Sequence, residues 1–329
     1  MIYVQDKRLL LPDGRTLAYA DNGNTSSLNV VLYLHGPFSV GDASRLPLIL
    51  QIHKVHLVCP SLPGWGMSSP VSKSTQYASS IVSDMSFLLN HLHPERYNLK
   101  LHICAHSFGC VAAQILYGAP YISFPYGRCI AALILLDPLS PPRCHHDYWK
   151  FLSWQSYFLA GPPSRLFPFS FLTVVVKYAI GNRLQSSATA ESFVRRTLIT
   201  HVRESETEDI VNWKEDNGIS DGDHERAVIR NAVYSVASTW QGFLELPQIY
   251  HSGWGGFCPD LLDDEHSRPP VTIITSNSGG GHTLAGMDSW LVGKYKNATL
   301  RIVEGRSNFS LLLCLDNVWR EVFSKAAYA

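Results

Sequence analysis

The stretch around Ser107 constrains the fold of this chain more than any other. It reads Leu101-His-Ile-Cys-Ala-His-Ser-Phe-Gly-Cys-Val-Ala-Ala-Gln, which is typical of a short apolar strand, a sharp turn and a helix. The residues two before and two after the serine are Ala105 and Gly109. Both must be small, because strand and helix cross almost in contact at such a turn. We therefore predict a nucleophile elbow that lifts the hydroxyl of Ser107 clear of a sheet.

The charge balance argues against several kinds of partner. The 329 residues include 27 Lys and Arg against 27 Asp and Glu, without a long basic run, so nucleic acid is not an expected partner. No apolar run approaches the roughly 20 residues that span a bilayer, which predicts no transmembrane segment. The N-terminus lacks the basic start and apolar run of a signal peptide, so we expect a cytoplasmic location.

The cysteines carry no metal signature. There are seven, an odd number, and their spacing does not match that of a metal site. Several lie within apolar strand or helix patterns, where a free buried thiol is expected. The sequence accordingly predicts neither a metal nor a cofactor.

The order of the predicted elements indicates an α/β architecture. A hairpin over residues 2–20 precedes apolar strands that alternate with helical patterns, one of them over residues 43–52, and this alternation predicts a parallel sheet with right-handed crossovers. The strands are predicted at residues 30–34, 55–59, 101–105, 131–136, 271–276 and 300–303. Residues 141–268 contain helix-like segments without a convincing strand. We interpret them as a helical cap inserted into a core formed by residues 1–140 and 269–329.

Several motifs along the chain resemble those of one family. These are Leu11-Pro-Asp-Gly-Arg-Thr-Leu-Ala-Tyr-Ala, His35-Gly36, Pro63-Gly-Trp-Gly-Met-Ser, the Ser107 elbow and Gly286-Met-Asp-Ser-Trp-Leu. Together they are similar to capped α/β-hydrolases of the proline-iminopeptidase and epoxide-hydrolase type, over nearly the whole chain. The resemblance implies an α/β-hydrolase fold: a mostly parallel eight-stranded sheet, flanked by helices, with an inserted helical cap.

The chain departs from that family at both partners of the serine. The family places a histidine base just after the last strand, and the corresponding position here is best matched by Asn308. The last histidine of the chain is His282, ahead of the final predicted strand. The family acid usually follows the seventh strand, where residues 276–281 carry no carboxylate. An asparagine amide can orient a group but cannot accept a proton at ordinary pH.

The expected oxyanion loop is also altered. In the family, the residue after the His-Gly pair donates a backbone N–H, but here Pro37 follows Gly36 and has no N–H to give. The resemblance leaves Phe108 as one donor. Phe38 could supply the second if the loop is re-routed.

Other polar residues offer a rearranged set. His106 precedes the elbow serine, where the family frequently has a structural histidine, and His35 most often braces its own loop. Asp137 closes the sixth predicted strand, an alternative place for the acid, although it could equally cap a helix or hold a loop N–H. His282 could fold towards Ser107 and form a Ser107–His282–Asp137 set, or serve only to brace its loop.

Three functions remain open from the sequence. A serine hydroxyl needs a base to become a good nucleophile, so the first is a non-hydrolytic enzyme. It would hold a small lipophilic carbonyl compound under the cap and promote cyclisation, condensation or elimination. The second is a hydrolase that uses His282 or His106, and the third is an inactive ligand-binding pseudoenzyme. Aromatic cap residues such as Trp154 are candidates for the substrate wall or the cap core, and a homodimer through the cap is left open.

Overall fold

The computed structural model describes most of the chain. The described residues are 4–73, 76–94, 98–152, 157, 161, 170–181, 183–184, 189–192, 194, 208–277, 285–304 and 308–326. The strands are β1 (Lys7–Leu10), β2 (Thr16–Gly23), β3 (Asn29–Leu34), β4 (His56–Pro60), β5 (Lys100–His106), β6 (Ile130–Leu136), β7 (Val271–Asn277) and β8 (Ala298–Glu304). The helices are α1 (Leu48–Ile52), α2 (Tyr77–Leu92), α3 (Gly109–Tyr117), α4 (Ser170–Gly181), α5 (Glu208–Asp216), α6 (Asp223–Ser235), α7 (Gln241–Leu244), α8 (Leu246–Tyr250), α9 (Ala285–Lys294) and α10 (Asn308–Ala326).

The strands form one sheet in the order β1-β2-β4-β3-β5-β6-β7-β8. The first two pairings, β1 with β2 and β2 with β4, are antiparallel, and every other pairing is parallel. The predicted eight-stranded, mostly parallel sheet is therefore confirmed. Since parallel strands end at a common edge, the loops after β3, β5, β6 and β7 all leave from the side that carries Ser107.

The sheet is buried on both faces, as the continuous apolar runs predicted. Along β5, Leu101, Ile103 and Ala105 pack into one cluster with the buried sides of α2 and α3. The intervening Cys104 packs into a second cluster with Trp319 and other apolar residues of α10. This alternation follows from the two-residue period of a strand, and it fixes the register that presents the next residues at the sheet edge.

One predicted helix was too long. The pattern predicted a helix over residues 43–52, but α1 begins only at Leu48. Pro47 precedes it with an extended backbone, φ −53° and ψ 141°. A proline has no N–H for an upstream helical turn and disfavours helical geometry in the residue before it, so the helix begins only after Pro47.

The described part of the segment between β6 and β7 consists of helices joined by turns and loops, and none of its described residues lies in a strand. It is fixed to the sheet domain by polar contacts. The Trp213 indole N–H of α5 donates to Asp316 of α10 at 2.6 Å, and the Arg230 guanidinium of α6 donates to Asp42 at 2.6 Å. Domain boundaries at residues 141 and 268 remain a prediction.

A disulfide that the sequence analysis did not anticipate joins Cys144 to Cys258, with Cα atoms 6.1 Å apart. The pair connects the start of the helical segment to its end. Among the other cysteines, Cys59, Cys104 and Cys110 are buried free thiols in strands or helices, as expected. Within the described part of the chain, no helix is long and apolar enough to cross a membrane.

Candidate functional site

Ser107 lies at the tip of the predicted strand–turn–helix. Its φ of +52° places a non-glycine residue in the left-handed region, a strained conformation that folds typically keep at functional positions. Its N–H donates to the Leu136 carbonyl at 2.8 Å, which ties the turn to the end of β6. A Cβ on Gly109 would collide with the backbone oxygens of Leu34 and His35. Gly109, two residues after the serine, therefore permits α3 to begin against the end of β3, a contact that the sequence analysis had expected with the strand of the elbow itself.

The loop after β3 lies directly against this turn. A Cβ on Gly36 would approach the Cβ of Ser107 to 3.3 Å and the Nδ1 atom of His106 to 3.2 Å. Phe38 has φ +53°, so the backbone does turn sharply after Pro37. Among hydrogen bonds to described residues, none uses the backbone N–H of Phe38 or Phe108. Those two N–H groups are free for a ligand oxygen.

His35 braces two loops and is not available as a base. Its Nδ1 atom hydrogen-bonds the Gly36 carbonyl at 2.8 Å, and its Nε2 atom accepts from the Leu62 N–H at 2.9 Å. This pair of partners fixes the neutral tautomer with the proton on Nδ1. Burial lowers the pKa of His35 to about 4. The lone pair that could take a proton is already engaged.

Aromatic rings cover the loop after β3. Phe38 lies 5.9 Å from the ring of Trp65 and 5.1 Å from that of Phe243 on α7, and Trp240 lies 6.0 Å from Phe243. The α7 backbone is fixed there because the Gly242 N–H donates to the Gly64 carbonyl at 2.9 Å. Sequence reasoning did not predict a role for Phe243 or Trp240. The helical segment thus supplies an apolar wall beside the Gly36 loop.

Asp137 is committed to the end of β7. Its carboxylate accepts the Ser276 N–H at 2.9 Å and the Ser276 hydroxyl at 3.2 Å, with the Thr275 hydroxyl at 3.5 Å. The N–H that Asp137 holds belongs to strand β7 and not to a loop, and its role as the acid of the site stays a prediction. Burial lowers the pKa of the neighbouring His106, while the Asp137 charge opposes that shift. His106 therefore favours its neutral form.

A buried acid that sequence reasoning missed lies next to these groups. Asp288, in the first turn of α9, is 0% exposed, and neither carboxyl oxygen makes a hydrogen bond of normal geometry to a described residue. Burial raises its pKa to about 7, the Thr275 hydroxyl opposes this and the Asp137 charge adds to it. The neutral acid is the form that such a dry environment favours.

We expect the Asp288→Asn variant to be more stable than the wild type at pH 8. A carboxyl whose folded pKa is raised costs stability as the pH climbs above its unfolded pKa, from about 4 to about 7. Moving the pKa from 3.8 to about 7 corresponds to at most about 4 kcal/mol. Thermal unfolding at pH 5 and pH 8 measures this, with exposed Asp209→Asn as control. Parallel pH profiles for Asp288→Asn and wild type would contradict the assignment.

For three of the predicted site residues the structure does not describe the side chain. His282 and Trp154 lie outside the described residues. Asn308 is the first residue of α10, four positions after β8 ends at Glu304, and its side chain is likewise outside the description. Their roles remain predictions.

Comparison with known proteins gives one family. The model of the "Alpha/beta hydrolase family" matches residues 31–255. Similar solved structures include a carboxylesterase of the thaumarchaeon Nitrososphaera gargenis, at 14% identity over 98% of both chains with a TM-score of 0.56. A thioesterase domain from the curacin biosynthetic pathway has 16% identity over 94% of this chain and 97% of its own, with a TM-score of 0.55. An epoxide hydrolase of Vigna radiata has 14% identity over 99% of both chains, with a TM-score of 0.54. No curated protein sequence matches this chain.

Proposed function

The chain belongs to the alpha/beta hydrolase family, and we propose that it is an enzyme that performs no ordinary hydrolysis. It would bind a small lipophilic carbonyl compound under the cap and promote its cyclisation, condensation or elimination. Members of this family are usually enzymes, and the same fold carries many unrelated reactions. The nature of the reaction must therefore be argued from the residues around Ser107.

The observation that carries the proposal is a preserved elbow in a chain that has no histidine at the family's base position. Ser107 retains the strained turn and its tie to Leu136, but no histidine follows His282 in the sequence. The family's base position is best matched by Asn308. The amide can donate and accept hydrogen bonds, yet it cannot remove the serine proton. Without that step, attack by Ser107 on an ester is slow.

The polar groups that remain suit the binding of a carbonyl. The free N–H groups of Phe108 and Phe38 can point hydrogen bonds at an oxygen on which negative charge develops. Holding a flexible substrate in a reactive conformer contributes further, because well-oriented intramolecular reactions gain about 7–11 kcal/mol. In this mechanism Ser107 donates a hydrogen bond or shapes the floor of the site, and no acyl-enzyme forms.

The apolar wall supports a lipophilic substrate. Phe38, Trp65 and Phe243 lie together beside Gly36, and Phe243 is only 5% exposed. Phe38, the partly exposed ring of the three, offers an uncharged apolar contact to a ligand, and the other two hold it in place. We propose that Trp154 extends this wall. A homodimer formed through the cap is part of the same proposal.

The second candidate is a hydrolase with a rearranged triad. The observation in its favour is the electrostatic interaction between His106 and Asp137 beside Ser107. Its weakness is that the Asp137 carboxylate already accepts from Ser276.

A cytoplasmic location is also proposed. Because disulfides are rare in reducing compartments, the state of Cys144 and Cys258 in cells would test it.

The experiment is an untargeted metabolite comparison. The purified protein is incubated with a cell extract, and products that depend on it are identified by mass. Cyclisation yields an isomer of the substrate, and elimination a lighter molecule, whereas hydrolysis adds water. Products whose masses together equal the substrate plus water would contradict the proposal.

Asn308 is expected to orient the substrate in this reaction. With the metabolite found in that comparison, the Asn308→Ala variant should lose about 1–3 kcal/mol of binding or barrier stabilisation, because a hydrogen bond in a dry pocket would be left unmade. Turnover and affinity measured for both proteins decide. Unchanged values would remove Asn308 from the site.

A further inference from the structure

We propose that a second site, separate from Ser107, binds a neutral amphipathic small molecule that carries hydroxyl or carbonyl groups along one edge. The site is a groove of about 840 Å³ between α2, the end of α3 and residues 254–262. Ligand sites in proteins commonly enclose about 300–1,000 Å³. This inference does not depend on the proposed function.

The groove is remote from the elbow along α3. That helix begins at Gly109 beside Ser107, and it touches the groove only at Ile115 and at Gly118 just beyond its end. Six residues of helix separate Gly109 from Ile115, which is about 9 Å at 1.5 Å per residue. The remaining lining belongs to α2, to residues 119–126 and to residues 254–262. A molecule in this groove would not occupy the place of the substrate.

One wall carries uncharged hydrogen-bonding groups in a row. Ser79, Ser83, Ser86 and Asn90 line the groove from α2. Their spacing of four, three and four residues places them on one side of a helix. The Ser86 hydroxyl donates to the Ser123 carbonyl at 3.2 Å, which leaves its lone pairs for an external donor. The Ser79 hydroxyl likewise donates to the Gln76 carbonyl at 2.8 Å, so Ser79 and Ser86 can accept from a ligand hydroxyl, whereas Ser83 and Asn90 can also donate to a carbonyl.

The opposite wall is apolar and held in place. Trp254 and Phe257 line it, with exposures of 1% and 7%. Leu261, at 79%, is one of the most exposed large apolar side chains described. The backbone comes close enough to α2 that a Cβ on Gly255 would approach that of Ala78 to 2.9 Å. The disulfide fixes Cys258, another lining residue, to Cys144. The groove is therefore pre-formed. Its polar groups lie on the α2 side, among Ala78, Val82 and Phe87, and the facing side is apolar.

Charge decides between classes of ligand. Of the 21 described residues that line the groove, none is Asp, Glu, Lys or Arg. A ligand with an ionised group would lose hydration there without gaining a counter-charge from a lining residue. The Arg143 guanidinium, 3.8 Å from the Cβ position of Gly256, is outside the lining. A neutral molecule with a polar edge and an apolar body gains contacts on both walls. The chemistry of the lining therefore favours a monoacylglycerol or fatty alcohol over a fatty acid or alkyl ammonium.

The test uses Nile red as a neutral fluorescent probe and measures its displacement by 1-monolauroylglycerol, laurate and dodecylammonium. We expect 1-monolauroylglycerol to displace the probe at least tenfold more tightly than either ion. Ser83→Asp and Leu261→Asp add a charge at exposed wall positions, and each should weaken this displacement about tenfold. Ser72→Asp and Leu10→Asp, at exposed positions outside the groove, are matched controls and should change nothing.

The outcomes separate this site from the catalytic one. Phe243→Ala, beside the Gly36 loop, should leave the displacement unchanged. The proposal is overturned if 1-monolauroylglycerol does not displace the probe, or if laurate binds equally well. It is also overturned if Phe243→Ala, and not Ser83→Asp, removes the binding. A dimer in sedimentation that Leu261→Asp dissociates would assign the groove to a second copy of the chain instead.

Discussion

Ser107 should react with a fluorophosphonate about 10⁴-fold or more slowly than the nucleophile of a serine hydrolase of the same fold with its triad complete. The reagent reports how strongly a base activates the hydroxyl. In a serine protease, loss of the histidine alone costs about 10⁶ in kcat. Position 308 holds an asparagine, and the Nε2 lone pair of His35 is engaged by Leu62. The rate of mass increase of the intact protein measures the reaction, and Ser107→Ala gives the background from other residues.

Rapid, stoichiometric labelling that disappears in Ser107→Ala would mean that a base acts on the serine. His282→Ala and His106→Ala, labelled in the same way, would then show which histidine supplies it. That result would favour the hydrolase with a rearranged triad over confinement, by which we mean catalysis by holding the substrate in a reactive conformer. It would leave the inference about the second groove untouched, because that groove does not involve Ser107.

Phe243→Ala should lower turnover, or change the product ratio, by about 10²-fold, and Ser107→Ala should have the smaller effect. The ring of Phe243 lies 5.1 Å from that of Phe38, at an interplanar angle of 37°, beside the elbow. Confinement requires close walls, since misplacing reacting atoms by about 1 Å can cost roughly 10²-fold. The measurement is turnover of the metabolite found in the extract comparison, with products separated and quantified.

A matched control removes the effect of stability. Phe257 is another buried phenylalanine, 7% exposed, that lines the remote groove. Each alanine substitution should lower the free energy of unfolding by about 3–5 kcal/mol. Turnover is therefore compared at a temperature below the unfolding temperatures of both variants. Phe257→Ala should keep the product ratio. If Ser107→Ala abolishes turnover while Phe243→Ala leaves rate and products intact, confinement is wrong.

The parts of this molecule that follow local rules were predictable from the sequence. The elbow is one: an apolar strand, two small residues and a helix period around Ser107 specify the turn within some fourteen residues. The sheet is another, because alternating strands and helices allow few topologies. The helix predicted over residues 43–52 was too long, because the apolar pattern was followed although Pro47 disfavours a helical turn before it.

Features that arise only when distant segments meet were not predictable. Asp288 lies in a motif that the sequence analysis recognised, yet its burial depends on how α9 packs against β7. The Phe38–Phe243 contact joins residues about two hundred positions apart. Seven cysteines permit many pairings, so the Cys144–Cys258 bond could not be chosen from spacing. The residues that line the groove beside α2 come from three parts of the chain, and no single stretch signals it.

Repeating the metabolite comparison in H₂¹⁸O tests directly whether the enzyme performs hydrolysis. Hydrolysis places one oxygen atom from water in a product carboxyl or hydroxyl group, whether or not the enzyme forms an acyl intermediate. Cyclisation, condensation and elimination take none from water, and ¹⁸O that enters a substrate carbonyl by exchange is found equally in the substrate recovered unreacted. For a non-hydrolytic enzyme we expect protein-dependent products without ¹⁸O in any newly formed carboxyl or hydroxyl group. Their formation should persist in Ser107→Ala. A product that carries ¹⁸O in such a group and disappears in Ser107→Ala would contradict it.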